Sequence, residues 1–323
     1  MRGLGTLRNL ARIRVANLLP AGAPRPAHHR PAHGRPARMT PWWAEKPSVR
    51  HAAVLVVAAL LVGATGCRAQ PSRAPAAATT TRPTPAPATT QSSAPQPADQ
   101  CGTPATRART FWLAGPDGAR LQAAMVGSAR DAVVFVHQSG TQGLCDFWPY
   151  AAWLAGARQV RAVLVDQCGY GASTCPGVGR NTDGDRWVAA TRAAVAWTRA
   201  HGGRRITLVG ASFGGIVALH AARSIQPPVD AVVDLSGELG WAGLDSLAAG
   251  RHLTVPALLA VAPGDRYVSV GDMRRLYQAI PAHPKRLVVA PAGAGHGWAL
   301  LMTATGWSPL ATTTATWIRG RYR

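Results

Sequence analysis

The sequence ITLVGASFGG occupies Ile206–Gly215 and places an apolar, β-branched run directly before a Gly-x-Ser-x-Gly turn. The apolar segment that follows, Phe213–Ser224, has the length of a helix. A tight turn between a buried strand and a helix is the context in which a serine side chain projects beyond the end of the strand. The pattern therefore predicts that the Ser212 hydroxyl projects beyond the carboxyl edge of a sheet, at the start of the following helix.

Similar short apolar runs occur on both sides of this segment, and they are continuous rather than alternating. Continuous apolar runs are typical of strands buried on both faces of a parallel sheet. The predicted strands are Ala132–Val136, Ala162–Val165, Ile206–Val209, Ala231–Leu235, Ala257–Val261 and Leu287–Val289.

Helix-length segments separate these strands, and one stretch near the start differs from them. The predicted helices are Trp148–Gly156, Asp185–His201, Phe213–Ser224, Leu239–Ala249 and Asp272–Ile280. The stretch Thr110–Val126 has Gly-Pro-Asp-Gly at its centre and predicts an antiparallel hairpin at the sheet edge. Strands that alternate with helices predict an α/β fold with a doubly wound, mostly parallel sheet.

Two loops downstream of Ser212 carry an acid and a histidine, in that order. Asp265 follows the predicted strand Ala257–Val261, and His296 follows the next strand within a Gly-Ala-Gly-His-Gly-Trp segment. With the elbow, this order resembles the α/β-hydrolase family over about residues 110–323. The resemblance implies an eight-stranded type of sheet, with Ser212 as nucleophile, His296 as base and Asp265 as acid. A serine hydroxyl needs such a base, and the base needs an acid that fixes its tautomer. Asp234 and Asp272 are alternatives for the acid.

Two backbone amides are expected to bind the developing oxyanion. One belongs to Phe213, directly after the nucleophile. The other is assigned to Gln138, because the loop after Val133–Val136 resembles the His-Gly loop of the family, with Gln in place of Gly. His137 in the same loop is expected to be structural. The segment Asp166–Ser173 also resembles a family loop, but Cys168 stands where Arg is usual.

The cysteines and the tryptophans give further expectations. Cys101, Cys145, Cys168 and Cys175 suggest two disulfides with three possible pairings, among which 101–145 with 168–175 and a 145–168 bond are both plausible. Only residues 236–254 separate two predicted strands where the family often inserts a cap, so we expect no cap domain and an open site. Trp148, Trp241 and Trp298 are candidates to line this site.

The first hundred residues predict export rather than a folded unit. Ala52–Val62 is an apolar run of eleven residues after Lys46 and Arg50, which is too short to span a bilayer and is typical of a signal peptide. The ending Ala-Thr-Gly-Cys67 resembles the lipobox of bacterial lipoproteins, with Ala64 where a larger aliphatic residue is usual.

We therefore divide the chain into three parts. Residues 1–66 form a pre-signal extension and a signal peptide. We expect residues 1–38 to reflect a translation start assigned upstream of the true one. Residues 67–102 begin with a lipidated Cys67 and continue as a disordered tether rich in Pro, Thr and Ala. Residues 103–323 form the hydrolase domain. The expected location is the outer face of a bacterial cell membrane, held by the lipid anchor, with secretion as the alternative.

The net charge of +21 does not by itself indicate nucleic-acid binding. Residues 1–50 account for +9 of it, and the basic residues after position 100 are Arg apart from Lys285. We find no basic run interleaved with aromatics and expect no nucleic-acid partner, no metal and no cofactor.

The expected function is hydrolysis of a small-molecule carboxylic ester or thioester through an acyl-enzyme. An acyltransferase or peptidase with the same triad, or a non-catalytic surface protein on this scaffold, are the alternatives, since fold does not settle function.

Overall fold

The computed structural model describes residues 94–102, 107–140, 142–177 and 179–322. Its centre is an eight-stranded sheet in the order β1-β2-β4-β3-β5-β6-β9-β10. Strands β1 and β2 form an antiparallel hairpin, β2 pairs antiparallel with β4, and all later pairings are parallel. The strands of this sheet are β1 (Arg109–Ala114), β2 (Arg120–Val126), β3 (Asp131–Val136), β4 (Arg161–Val165), β5 (Arg205–Ala211), β6 (Ala231–Leu235), β9 (Ala257–Val261) and β10 (Lys285–Val289).

The described part of the chain also contains seven α-helices and two small hairpins. The helices are α1 (Pro97–Cys101), α2 (Trp148–Ala157), α3 (Gly184–Ala200), α4 (Phe213–Ser224), α5 (Ser246–Arg251), α6 (Val270–Ala279) and α7 (Pro309–Ile318). The hairpin strands are β7 (Gly240–Trp241) with β8 (Leu244–Asp245), and β11 (Met302–Thr303) with β12 (Gly306–Trp307). The predicted doubly wound sheet and its edge hairpin are confirmed.

Side chains of the central strands alternate between two apolar layers, as the period of two in a strand requires. Val134 packs in the layer that includes helices α3, α4 and α6, whereas Val133 and Phe135 pack in the layer of α2 and α7. Both faces of the sheet are therefore covered, which explains why the strand sequences are apolar throughout.

Trp148 is part of this second layer and does not line an open site. Its side chain is fully buried in α2, in the same cluster as Phe135, Phe147 and Tyr150. The prediction that Trp148 contacts substrate was wrong. The physical reason is that it begins a helix whose apolar side covers the sheet.

The segment between β6 and β9 contains a shorter helix than the sequence predicted. The predicted helix Leu239–Ala249 is replaced by the β7–β8 hairpin and by the six-residue helix α5, which Asp245 caps through a 3.0 Å bond from the Ala248 amide. Gly243, with φ of +83°, occupies the hairpin turn, where a left-handed backbone conformation favours glycine. The first part of this segment therefore forms a hairpin, and only its end is helical.

The end of the expected tether is ordered and belongs to the domain. Ala94 and Pro97 are buried, and the Gln96 side chain makes two hydrogen bonds with the backbone of Ala108, at 3.0 and 3.1 Å. A disulfide joins Cys101 to Cys145. The expectation of disorder up to residue 102 was therefore wrong for residues 94–102, because polar side chains and a covalent bond hold them against the sheet.

The remaining predictions for the N-terminal hundred residues, including the signal peptide and lipidated Cys67, lie outside the described residues. Within the described part of the chain, no helix is both long and apolar enough to cross a membrane.

We expect the Cys101–Cys145 disulfide to stabilise the domain more than the Cys168–Cys175 disulfide does. The two cysteines of the first disulfide are 44 positions apart in sequence, and those of the second are 7 apart. A disulfide that closes a longer loop removes more conformational entropy from the unfolded chain. Replacing both Cys101 and Cys145 by Ser should lower the free energy of unfolding by about 2–4 kcal/mol. Urea denaturation measures the loss. A larger loss for the matched Cys168→Ser/Cys175→Ser variant would contradict this expectation.

Candidate active site

Ser212 occupies a strained turn between β5 and α4. Its backbone has φ of 51° and ψ of −124°, a left-handed conformation that costs about 1–3 kcal/mol for a residue with a side chain. The Ser212 amide donates a 2.8 Å hydrogen bond to the Leu235 carbonyl at the end of neighbouring β6. The turn is thereby held at the carboxyl edge of the sheet, as the sequence predicted.

The two glycines that flank Ser212 allow the strand and helix to pass this closely. A Cβ atom on Gly210 would overlap the carbonyl oxygen of Gly214, and one on Gly214 would overlap the Val136 carbonyl oxygen at the end of β3. Any side chain at either position would push α4 away from the sheet. The Gly-x-Ser-x-Gly spacing is therefore a packing requirement of this turn.

His296 and Asp265 are in direct contact. The His296 Nδ1 atom lies 2.9 Å from Asp265 Oδ1 and 2.8 Å from Oδ2, and the Asp265 side chain is completely buried. The Tyr267 and Val268 amides also donate to Asp265 Oδ1, at 3.0 and 3.4 Å. A carboxylate at Nδ1 keeps the proton on that nitrogen and leaves Nε2 as the acceptor.

The two competing acids have other partners. Asp234 is fully buried beneath the elbow, where it accepts a 2.7 Å bond from the Gly237 amide, and burial raises its pKa to about 7. Asp272 forms a capping box with Ser269 at the start of α6 and bonds to Arg275. Asp265, the predicted acid, is the one of the three that contacts His296.

The His296 loop lies directly beside the elbow. A Cβ atom placed on Gly297 would lie 3.5 Å from the Cβ of Ala211, the residue before Ser212. The same atom would overlap Oε1 of Gln138, in the loop after β3. The loops that carry Ser212, His296 and Gln138 therefore converge at one point of the sheet edge.

In the described structure the Ser212 hydroxyl is paired with Glu238 rather than with His296. Ser212 Oγ donates to Glu238 Oε1 at 3.2 Å. Glu238 follows β6 by three residues and is half-buried. Glu238 was not among the predicted site residues, because the only acids considered were candidates for a hydrogen bond to His296. The signal that could have found it is its position just after a buried strand.

Of the two predicted oxyanion amides, one directly follows Ser212 and the other lies in the loop on the side of Ser212 away from Glu238. Phe213 is the first residue of α4, and amides in the first turn of a helix have no partner within that helix. Gln138 follows β3, the neighbour of β5 on the side away from β6.

His137 is a structural residue of this loop, as predicted. Its Nδ1 donates to the Gln138 carbonyl at 2.7 Å, and its Nε2 accepts from the Gln167 amide at 3.0 Å. Burial lowers the pKa of His137 to about 4, so the ring is neutral and both nitrogens are used. It ties the Gln138 loop to the loop after β4.

The loop after β4 is held without the Arg that its sequence pattern usually contains. Cys168 is disulfide-bonded to Cys175, and Arg180 donates from Nε to the Gly169 carbonyl at 2.9 Å. Asp166 accepts a 2.7 Å bond from the Leu144 amide, although burial raises the pKa of its carboxyl to about 7. Of the pairings left open by the sequence, the structure has 101–145 with 168–175.

Two adjoining clefts open beside the Asp265–His296 pair. One, of about 510 Å³, is lined by the Asp265 and His296 loops, and the other, of about 470 Å³, by Glu238 and Trp241. Arg266 and Tyr267 line both clefts. Trp241 is 49% exposed and lines the second cleft beside Glu238, and its contact with substrate stays a prediction. Trp298 follows the His296 loop but packs partly buried against the α2–α7 layer.

A further apolar cavity of about 570 Å³ lies between the end of β10 and the β11–β12 hairpin. Its lining contains none of the predicted catalytic residues, so we do not assign it to the active site. Within the described ranges, no group of three or more His, Cys, Asp and Glu side chains could hold a metal ion.

Solved structures of esterases and related hydrolases share this fold. An esterase from Pyrococcus furiosus aligns with a TM-score of 0.57 at 14% identity, over 69% of this chain and 95% of that chain. A dienelactone hydrolase from Anabaena variabilis aligns with a TM-score of 0.52 at 22% identity, over 67% and 99%. A thermophilic esterase from Thermogutta terrifontis aligns with a TM-score of 0.54 at 16% identity, over 66% and 99%.

No protein-family model matches the sequence, and no curated protein matches it. At these identities the structural likeness establishes the α/β-hydrolase fold.

Gly297→Ala is expected to displace the His296 loop. The new Cβ would overlap Gln138 Oε1, and φ of +61° adds strain. Gly293→Ala in the same loop is the matched control, since its φ is +79° but no atom lies within 4 Å of its added Cβ. We expect Gly297→Ala to lose at least about 10²-fold in activity, as a misplacement of about 1 Å can cause, and Gly293→Ala to lose much less. Equal losses in an ester hydrolysis assay would show that backbone strain alone is responsible.

Proposed function

We propose that this protein is a serine hydrolase that cleaves small carboxylic esters through an acyl-enzyme on Ser212. The observation that carries the proposal is the convergence of a strained serine elbow with His296 and its buried partner Asp265 at one edge of the sheet. The esterase neighbours share the fold and support an ester as the substrate class. Their low identity leaves the chemistry to be argued from the residues of this chain.

In the proposed reaction, the Ser212 hydroxyl turns from Glu238 towards Nε2 of His296. As Oγ attacks the ester carbonyl carbon, His296 takes its proton, and the buried Asp265 carboxylate stabilises the imidazolium that forms. The carbonyl oxygen becomes an oxyanion that the Phe213 and Gln138 amides stabilise. His296 then gives the proton to the departing alcohol oxygen as the ester C–O bond breaks, which leaves Ser212 acylated.

Water completes the proposed cycle. His296 removes a proton from a water molecule, whose oxygen attacks the acyl carbon, and the proton returns to Ser212 Oγ as the acyl bond breaks. The products are a carboxylic acid and an alcohol, and Ser212 is regenerated. The clefts beside His296 give water access to this step.

Ser212→Ala is expected to abolish covalent labelling by a fluorophosphonate probe and to lower kcat by about 10⁶-fold, the scale found where a triad acts as a unit. Labelling and hydrolysis of p-nitrophenyl butyrate at neutral pH measure both effects. Ser236→Ala is the matched control, because Ser236 also follows a buried strand with positive φ, at 58°. Equal labelling of wild type and Ser212→Ala would overturn the proposal, whereas labelling without ester turnover would favour acyl transfer or peptidase chemistry.

We also propose that the mature protein is exported and anchored to the outer face of the membrane by a lipid on Cys67. Support comes from the apolar run Ala52–Val62 before Cys67 and from the two disulfides of the domain. Disulfides persist in oxidising compartments outside the bacterial cytosol.

Cys67→Ala should move the protein from the detergent phase to the aqueous phase of a Triton X-114 partition, when the full-length chain is expressed in a bacterium that processes lipoproteins. The reason is that loss of the thiol removes the site of acylation and with it the membrane affinity of the acyl chains. Gln70→Ala, three residues away, serves as control and should leave partitioning unchanged. Aqueous partitioning of the wild type would instead favour secretion.

A further inference from the structure

Glu238 contacts the nucleophile directly but has no part in the Ser212–His296–Asp265 mechanism. Its Oε1 accepts the Ser212 hydroxyl at 3.2 Å. Its Oε2 is buried and has no hydrogen-bond partner among the described residues. A buried carboxyl oxygen without a hydrogen-bond partner is uncommon in native proteins and calls for an explanation.

The charged groups around Glu238 come from several neighbouring elements. His296 lies close enough for its positive form to attract the Glu238 carboxylate, and Asp265 and Asp234 are close enough to interact with it unfavourably. Arg266 lines the cleft that Glu238 borders, and Asp272 lines the same cleft while bonded to Arg275. The uncharged aromatic neighbours in this cleft are Trp241 and Tyr267.

We propose that Glu238 is a positioning and specificity-determining residue of the active site. It holds the Ser212 hydroxyl in the resting enzyme, and its negative charge attracts positive charge on the His296 ring and disfavours substrates with an anionic acyl group. The inference rests on the proposed serine hydrolase function and deepens it by naming the class of ester that the site prefers, one with an uncharged acyl chain.

The Ser212 hydroxyl can donate its hydrogen bond to only one acceptor at a time. Ser212 has a single proton to donate, so it cannot bond to Glu238 and to His296 Nε2 through that proton at the same time. Catalysis therefore requires the hydroxyl to leave Glu238. In the proposed reaction the hydroxyl leaves Glu238 once substrate is bound, because attack on the substrate's carbonyl carbon transfers the hydroxyl proton to His296.

The charge of Glu238 has effects of definite sign. Burial raises its pKa, while the attraction of His296 and the hydrogen bond from Ser212 act in the opposite direction. An ionised Glu238 attracts positive charge on the neighbouring His296 ring, and Glu238→Gln removes this attraction. The same charge repels a carboxylate carried on the acyl chain of a substrate bound at Ser212.

The test compares wild type and Glu238→Gln in the full-length protein on two esters of equal acyl length. These are p-nitrophenyl butyrate, which is neutral, and p-nitrophenyl hemisuccinate, which carries a carboxylate. We expect Glu238→Gln to move the acid limb of the kcat/KM profile to lower pH by about half a unit or more. We also expect the hemisuccinate-to-butyrate ratio of kcat/KM to rise by roughly three- to tenfold at low ionic strength.

Two further variants separate charge from shape. Glu238→Asp keeps the charge and should retain the wild-type acid limb and the wild-type preference for butyrate. Asp185→Asn removes one negative charge from an exposed position in the first turn of α3 and should change neither readout. An acid limb and a substrate ratio that are the same in wild type and Glu238→Gln would overturn the inference.

Failure of the proposed function gives a different result. If no ester turns over but Ser212 reacts with a fluorophosphonate, the pH dependence of the labelling rate supplies the same comparison between wild type and Glu238→Gln. Absence of both turnover and labelling removes the hydrolase proposal itself. An active enzyme that is insensitive to Glu238 removes only the role assigned to that residue.

Discussion

The close passage of β5 and α4 is the constraint on which the site depends. Gly210 and Gly214 let the backbones approach to a distance that any Cβ would prevent, and Ser212 adopts a positive φ between them. The strain is tolerated because both flanking elements are buried in the apolar layers of the sheet, which fixes the turn from two sides. The position of the Ser212 hydroxyl is therefore fixed by the strand and the helix, and the surrounding loops contribute the polar groups that contact it.

The order of the strands supplies those groups. Strands β5, β6, β9 and β10 are consecutive neighbours, and the loops at their carboxyl ends carry Ser212, Glu238, Asp265 and His296 respectively. Parallel strands end at the same edge, and ligands of open α/β sheets bind at that edge. Four adjacent loops therefore place a serine hydroxyl, an imidazole and two carboxylates together, although 84 positions separate Ser212 from His296 in sequence.

Much of this could be predicted from the sequence because it depends on local patterns. Continuous apolar runs located the strands of the parallel sheet, and the resemblance to the acid and His loops of the hydrolase family pointed to Asp265 as the partner of His296, which it contacts. Three features depend on tertiary contacts that no local pattern encodes. Trp148 is buried by the sheet beneath its helix, residues 94–102 are held by partners distant in sequence, and Glu238 meets Ser212 only through the order of the strands.

The same strand order separates the charges that the proposed reaction creates. Strand β5 lies between β3 and β6, so the loop that carries Gln138 and the loop that carries Glu238 lie on opposite sides of the Ser212 turn. In the proposed reaction the oxyanion binds beside the Gln138 amide, which lies on the β3 side and favours negative charge. The imidazolium forms on the side of β6, β9 and β10, where Asp265 and Glu238 favour positive charge. A second carboxylate beside a serine nucleophile is therefore compatible with catalysis, because it acts on the cation and lies away from the anion.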